Sequence, residues 1–129
     1  MDEINITLPL PPSLNKAFAG YIKRHKSIHY TLWEREADQI KIDYEIEGDE
    51  WLYARYEIYV DRLFCKNGTK RIIDCANYEK IATDYLAKRI KGFEDHKIKR
   101  ITLEKFDCGE DKPFINIVIS ENKITNKDL

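Results

Sequence analysis

The sequence has 129 residues, of which 43% are apolar and 35% charged, with a formal net charge of −1. That is the length of one ordinary domain with a core able to support itself. Its 5 Phe, 8 Tyr and 2 Trp, set against 5 Gly and 4 Pro, exclude a collagen-like, mucin-like or disordered chain.

No run of ~20 apolar residues is present to span a membrane. Asp2 and Glu3 are not the basic start of a signal peptide, so a cytoplasmic, membrane-free protein is expected. Cys65, Cys75 and Cys108 are odd in number and form no CxxC pair, which predicts reduced thiols rather than a disulfide framework. His25, His29 and His96 lack the grouped partners that zinc needs.

Ile4, Ile6 and Leu8 alternate with polar residues and predict a short strand over 4–8, stopped by Pro9, Pro11 and Pro12. Residues 13–30 read as a loop. Thr31, with Glu34 three residues on, has the form of a capping box and predicts a helical segment from 31 that Gly48-Asp49 ends. Leu32, Trp33, Ala37, Ile40 and Tyr44 form its apolar face. Trp51 to Val60 alternates cleanly: Ala54, Tyr56, Ile58 and Val60 face one way, and Tyr53, Arg55, Glu57 and Tyr59 the other. A basic loop turns at Asn67-Gly68.

A second helix is predicted from about Asp74 to Ile90, with Tyr78, Ile81, Ala82, Tyr85 and Leu86 inside about 140° of arc and Gly92 as its stop. Strands follow over 98–106 and 114–120, then a polar tail over 121–129 that is expected to fray. The order β-α-β-α-β-β predicts a single α+β domain: one small mixed sheet with two main helices, packed mainly on one face.

Charge is segregated along this order. Residues 1–60 hold 7 Lys/Arg and 11 Asp/Glu (net −4), residues 61–105 hold 12 and 7 (net +5), and residues 106–129 hold 3 and 5 (net −2). Clustered cations are what a polyanion needs, although the same run can be a solvated surface. The candidate phosphate contacts are Lys66, Lys70, Arg71, Lys88, Arg89 and Lys91, joined by the earlier cluster Lys23, Arg24 and Lys26.

Within this basic third, Asn77, Lys80 and Asp84 fall within about 60° of arc on one helical ridge. Asp74 stands at the helix start, and Glu94 and Asp95 follow its stop. Carboxylates are hard ligands suited to Mg²⁺, and a lysine beside them can offset charge on a phosphate in transition. The set suggests a metal-dependent phosphodiesterase. It also reads as ordinary structure: Asp74 as a helix cap, Lys80 and Asp84 as an i,i+4 pair, and Glu94-Asp95 as a polar turn.

Three segments resemble the RusA family of Holliday junction resolvases, and they occur in the family's order. Ile6-Thr7-Leu8-Pro9-Leu10-Pro11-Pro12-Ser13-Leu14-Asn15 is similar to the family's opening strand and Pro-Pro-Ser-x-Asn turn. Arg71 to Leu86 is similar to its Arg-Asp-x-Asp-Asn-x-x-Lys signature and following helix, and Phe93 to Ile98 to its paired-acid element. Together they cover most of residues 4–105.

The resemblance implies a homodimer that binds four-way DNA junctions in a bacterial or phage-infected cell and nicks them symmetrically with Mg²⁺. It implies Asp74, Lys80 and Asp95 as catalytic residues and Asp74, Glu94 and Asp95 as metal ligands, with Asn77 orienting a ligand or water. Ala76 stands where the family usually has a second catalytic Asp, and Ile73 precedes Asp74 where the family has Arg. Ala76 leaves three readings open: a substituted residue, a natural variant still able to hold metal, or a natural form that binds branched DNA or a protein partner without cutting.

Overall fold

A computed structural model describes residues 3–20 and 24–122. In chain order it contains strand β1 (Ile4–Pro9), a short helix α1 (Leu14–Ala17), strands β2 (Phe18–Ala19) and β3 (His25–Lys26), helix α2 (Ile28–Asp38) and strand β4 (Trp51–Val60). Helix α3 (Ala76–Arg89), a 3-10 turn at Asp95–Lys97, and strands β5 (Ile98–Asp107) and β6 (Phe114–Asn122) complete it. One mixed sheet has the order β1-β6-β4-β5. Strand β6 pairs antiparallel with both β1 and β4, and β5 runs parallel to β4. A parallel neighbour needs a crossover, which α3 supplies. The main elements are the expected α+β set; α1 and the β2–β3 ribbon are additions inside the stretch expected as loop.

Strict alternation in β4 divides its side chains between two environments. Leu52, Ala54, Tyr56, Ile58 and Val60 are buried, and Ala54, Tyr56 and Ile58 lie in register with Ile119, Ile117 and Ile115 of β6. Ile4, Ile6 and Leu8 of β1 extend the same layer. Helix α3 covers it with Ile81, Ala82, Tyr85 and Leu86, and α2 adds Tyr30, Trp33 and Ala37. Each fully buried large apolar side chain contributes about 1.5–3 kcal/mol. Among the described residues no helix packs on the outward face of the sheet.

Helix α2 differs from expectation at both ends. It starts at Ile28, because the Ser27 hydroxyl accepts from the Tyr30 amide at 3.3 Å, whereas Thr31 turns its own hydroxyl back to the Ser27 carbonyl at 3.2 Å. It ends at Asp38, so Tyr44 leaves the predicted apolar face and is exposed, as is Leu32. The two helices are joined where Arg89 of α3 donates to the Ala37 and Ile40 carbonyls at 3.3 and 2.6 Å, closing the C-terminal end of α2. Edge-to-face rings then run from Phe18 through Tyr30 and Trp33 to Tyr85, at 5.5, 6.2 and 4.9 Å. The Trp33 indole N–H donates to the Pro9 carbonyl at 2.8 Å and ties α2 to β1.

Gly92 stops α3 as expected, with φ +88°. The Ile46 amide donates to the Lys91 carbonyl at 2.8 Å, and the Ile46 carbonyl lies where a Cβ on residue 92 would fall. The segment after α2 is thereby fastened to the turn after α3. Gly92→Ala is expected to cost about 2 kcal/mol or more in urea unfolding, from strained backbone and overlap together. Gly68→Ala, with φ +85° but open space around it, should cost only about 1 kcal/mol.

Candidate functional site

The site is built on the polar ridge of α3 and the turn that follows it. Beneath the ridge lies Tyr56, fully buried on β4. Its hydroxyl and the Thr83 hydroxyl are 2.5 Å apart, and Thr83 donates to Glu79 at 2.7 Å. Thr83 has one proton, given to Glu79, so Tyr56 is the donor in the first bond. Burial pushes the Tyr56 phenol well above its ordinary pKa, with Glu79, Asp95 and Asp84 adding negative potential. The phenol therefore stays protonated, and α3 is pinned in rotation about its axis.

That rotation presents Lys80 and Asp84, one turn apart, to solvent. Lys80 Nζ lies 3.2 Å from Asp84 and 3.8 Å from Asp95 of the 3-10 turn. The two carboxylate oxygens are therefore no more than about 7 Å from each other, with the cation between them. Hydrogen bonding to Asp84 raises the Lys80 pKa above the ordinary lysine value, and Asp95 adds to the effect. Lys80 thus keeps its charge through the neutral range. Two of the residues expected as catalytic, Lys80 and Asp95, are brought together. Asp84 joins them as the i,i+4 partner of Lys80 that the sequence predicts.

Asp74 does not join this group in any contact. Its carboxylate accepts from the Ala76 amide at 3.1 Å, which is work at the helix start, six residues before Lys80. Glu94 turns to His96 at 3.1 Å. The residues expected as metal ligands, Asp74, Glu94 and Asp95, thus answer to three different partners. Among the described residues no group of three or more His, Cys, Asp and Glu is arranged to hold a metal ion. The set does not fit a three-carboxylate Mg²⁺ site within one chain. Asn77 is half-buried on α3, and Ala76 is exposed at its first position.

The candidate phosphate contacts divide. Lys66 and Lys70 are exposed on the turn after β4, with no side-chain partner among the described residues. Arg24 lies over the Phe18 ring at 5.9 Å and points a weak 3.5 Å bond at the Phe18 carbonyl. Lys26 donates to both oxygens of Glu34 at 3.1 Å, and Lys88 approaches the same carboxylate at 4.0 Å. Crowding by Lys26, with some burial, lowers the Lys88 pKa. Lys80, Asp84 and Lys88 succeed each other at one-turn intervals, so this pair of lysines continues the Lys80 ridge. Lys91 reaches Glu45 at 3.7 Å.

Two expected contacts, Arg71 and Arg89, are engaged within the chain. Arg71 bonds to Asp61 at 2.5 Å and to the Arg62 carbonyl at 2.7 Å, holding Asp61 below the usual carboxylate range. Arg89 is committed to the end of α2, with Asp38 and Tyr85 as further partners. Both guanidiniums have structural tasks that a phosphate would have to displace. Lys23 lies outside the described residues, as do residues 123–129 of the predicted frayed tail; Glu121 and Asn122 extend β6. The three cysteines are free. Among the described residues no helix is long and apolar enough to cross a membrane.

No family model matches the chain, and neither does any curated protein.

The Tyr56–Thr83–Glu79 chain makes a prediction that separates its two halves. Thr83→Val leaves the Tyr56 hydroxyl buried without an acceptor and should cost about 1–3 kcal/mol in urea unfolding. Tyr56→Phe leaves Thr83 still donating to Glu79 and should cost less, about 1 kcal/mol, apart from any change in packing.

Proposed function

We propose that the chain is a RusA-like endonuclease that binds four-way DNA junctions as a homodimer and cleaves a phosphodiester beside Lys80. The observation that carries the reading is the meeting of Lys80 with Asp95, fifteen positions apart in sequence, next to Asp84 and in line with Lys88 and Lys26.

The chemistry follows from those groups. A scissile phosphate lying against the ridge meets a permanently charged Lys80, which offsets the charge gathering on its non-bridging oxygens as water attacks and the P–O bond to one sugar breaks, the departing oxygen taking its proton from solvent. Asp95, the more exposed of the two acids, is the candidate to take the proton from that water. Lys26 and Lys88 hold the flanking phosphates, and Lys66 and Lys70 reach a neighbouring arm. A two-fold dimer would set two such centres against the two like strands of a junction. Because the expected ligand set is dispersed, no step here passes through a metal ion.

A second reading is favoured by the exposed Ala76 and the engagement of Asp74 with the helix start: the same fold binds branched DNA without cutting it. The deciding assay incubates a mobile four-way junction with this chain and with Ala76→Asp, each in Mg²⁺ and in EDTA. Cleavage by both proteins supports the endonuclease. Cleavage by the Asp-bearing variant alone supports a scaffold that has lost one carboxylate. Binding without cleavage by either supports the binding module, and absence of binding overturns both readings.

Lys80→Ala is expected to lower single-turnover cleavage by about 10²–10³-fold with junction affinity nearly unchanged. A matching fall in affinity would make Lys80 a DNA clamp instead. Junction affinity should fall with salt at a log–log slope of about −0.9 per phosphate neutralised. The double substitution Lys66→Gln/Lys70→Gln should flatten that slope by about 2, measured by fluorescence anisotropy across a salt series.

A further inference from the structure

The outward face of the sheet has a pattern that neither the core nor the α3 ridge uses. Its side chains stand in cross-strand rows set by the register. The first row is Ser120, Tyr53 and Arg100; the second Val118, Arg55 and Thr102; the third Asn116, Glu57 and Glu104; the fourth Phe114, Tyr59 and Phe106. Successive rows are about 6.6 Å apart, two residues along a strand.

The two ends of this grid are opposites in shape. In the fourth row the Tyr59 ring stacks on Phe114 at 4.2 Å and on Phe106 at 4.9 Å, an aromatic ridge across three strands. Around the first two rows lies a hollow of about 180 Å³ lined by Glu3, Tyr53, Arg55, Arg100, Thr102 and Ser120. The Arg100 guanidinium lies 5.5 Å over the Tyr53 ring at its edge.

The two halves are also opposites in charge. Arg55 and Arg100 have no carboxylate within 4.0 Å, and Glu57 and Glu104 no cation within 4.0 Å, among the described residues. Glu57 accepts only from Asn116, at 3.0 Å. Half a turn about an axis lying across the strands at the level of Tyr56 exchanges first row with fourth and second with third. It brings ridge onto hollow and glutamate row onto arginine row.

We propose that a second copy of this chain packs on this face, sheet against sheet, about that two-fold axis. Arg55 meets the partner's Glu57, and the aromatic ridge of each chain enters the hollow of the other. Arg100, already stacked on Tyr53, receives the partner's Phe106. Two sheets packed face to face sit about 10 Å apart, close enough for these side chains to interdigitate. The interface is isologous, as a two-fold dimer requires. It leaves the α3 ridges of both chains on the outer surfaces, open to DNA. It rests on the homodimer of the proposed function and names the surface that makes it.

The test is sedimentation velocity over a concentration series of the full chain. The natural chain should dimerise. Arg55→Glu and Glu57→Arg each set like charges against each other at both symmetry-related places and should weaken dimerisation at least roughly tenfold. The double swap R55E/E57R restores opposite charges and should recover the dimer. Circular dichroism checks folding; if a single swap unfolds, Phe106→Glu at the sheet edge replaces it and should weaken the dimer likewise. A dimer that none of these variants weakens overturns this interface and leaves the homodimer standing. A chain that is monomeric throughout overturns both.

Discussion

The hydroxyl of Tyr56 sets how helix α3 lies on the sheet. A buried phenol must find an acceptor, and the one it finds is Thr83, which passes the bond on to Glu79. Helix packing alone would let α3 rotate by a fraction of a turn at modest cost. The directional bond does not. With Thr83 turned inward, Lys80 and Asp84 must turn outward, and the short link through Gly92 then delivers Asp95 to the same place. The chemistry attributed to the ridge depends on an interaction made out of sight of it.

Several of the cations expected to meet phosphate are already paired within the chain. Lys26 and Lys88 share Glu34, Lys91 meets Glu45, and Arg71 meets Asp61. Such exposed pairs add little stability, typically under about 1 kcal/mol each. Their larger effect is to decide which cations are left to act on something else. Two lysines on one carboxylate leave an excess positive charge beside the ridge, while Arg71 and Arg89, prominent in the sequence, are absorbed by the fold. A count of basic residues along the chain does not give this division, because partners such as Glu34 for Lys88 and Glu45 for Lys91 come from distant segments.

The same distinction explains what could be read before the structure. Strand β4 was legible to the residue, since a period of two over ten positions has one meaning. So was the inward stripe of α3 and its stop at Gly92. Helix α2 was shifted because Thr31 and Ser27 are both plausible caps, and the bond to Tyr30 decides between them. Within the site, Lys80 and Asp84 were visible as one ridge, but the approach of Asp95 depends on the path of a turn. The Thr83 relay was hidden because a threonine in mid-helix gives no signal of its partner. Asp74 was read in two ways, and its bond to Ala76 is the structural one.

The strand order has a bearing on synthesis. Of the described strands β6 is made last, yet it lies between β1, the first of them, and β4. Until it emerges from the ribosome, β1 has no neighbour in the sheet, and one edge of β4 stays open with Tyr56 and Ile58 beside it. Nascent chain shorter than about residue 114 can therefore hold the β4–α3–β5 crossover but cannot close the core. Folding of this kind is governed by long-range pairing and is slow. Until β6 is added, the unfinished half exposes apolar surface of the kind that favours aggregation.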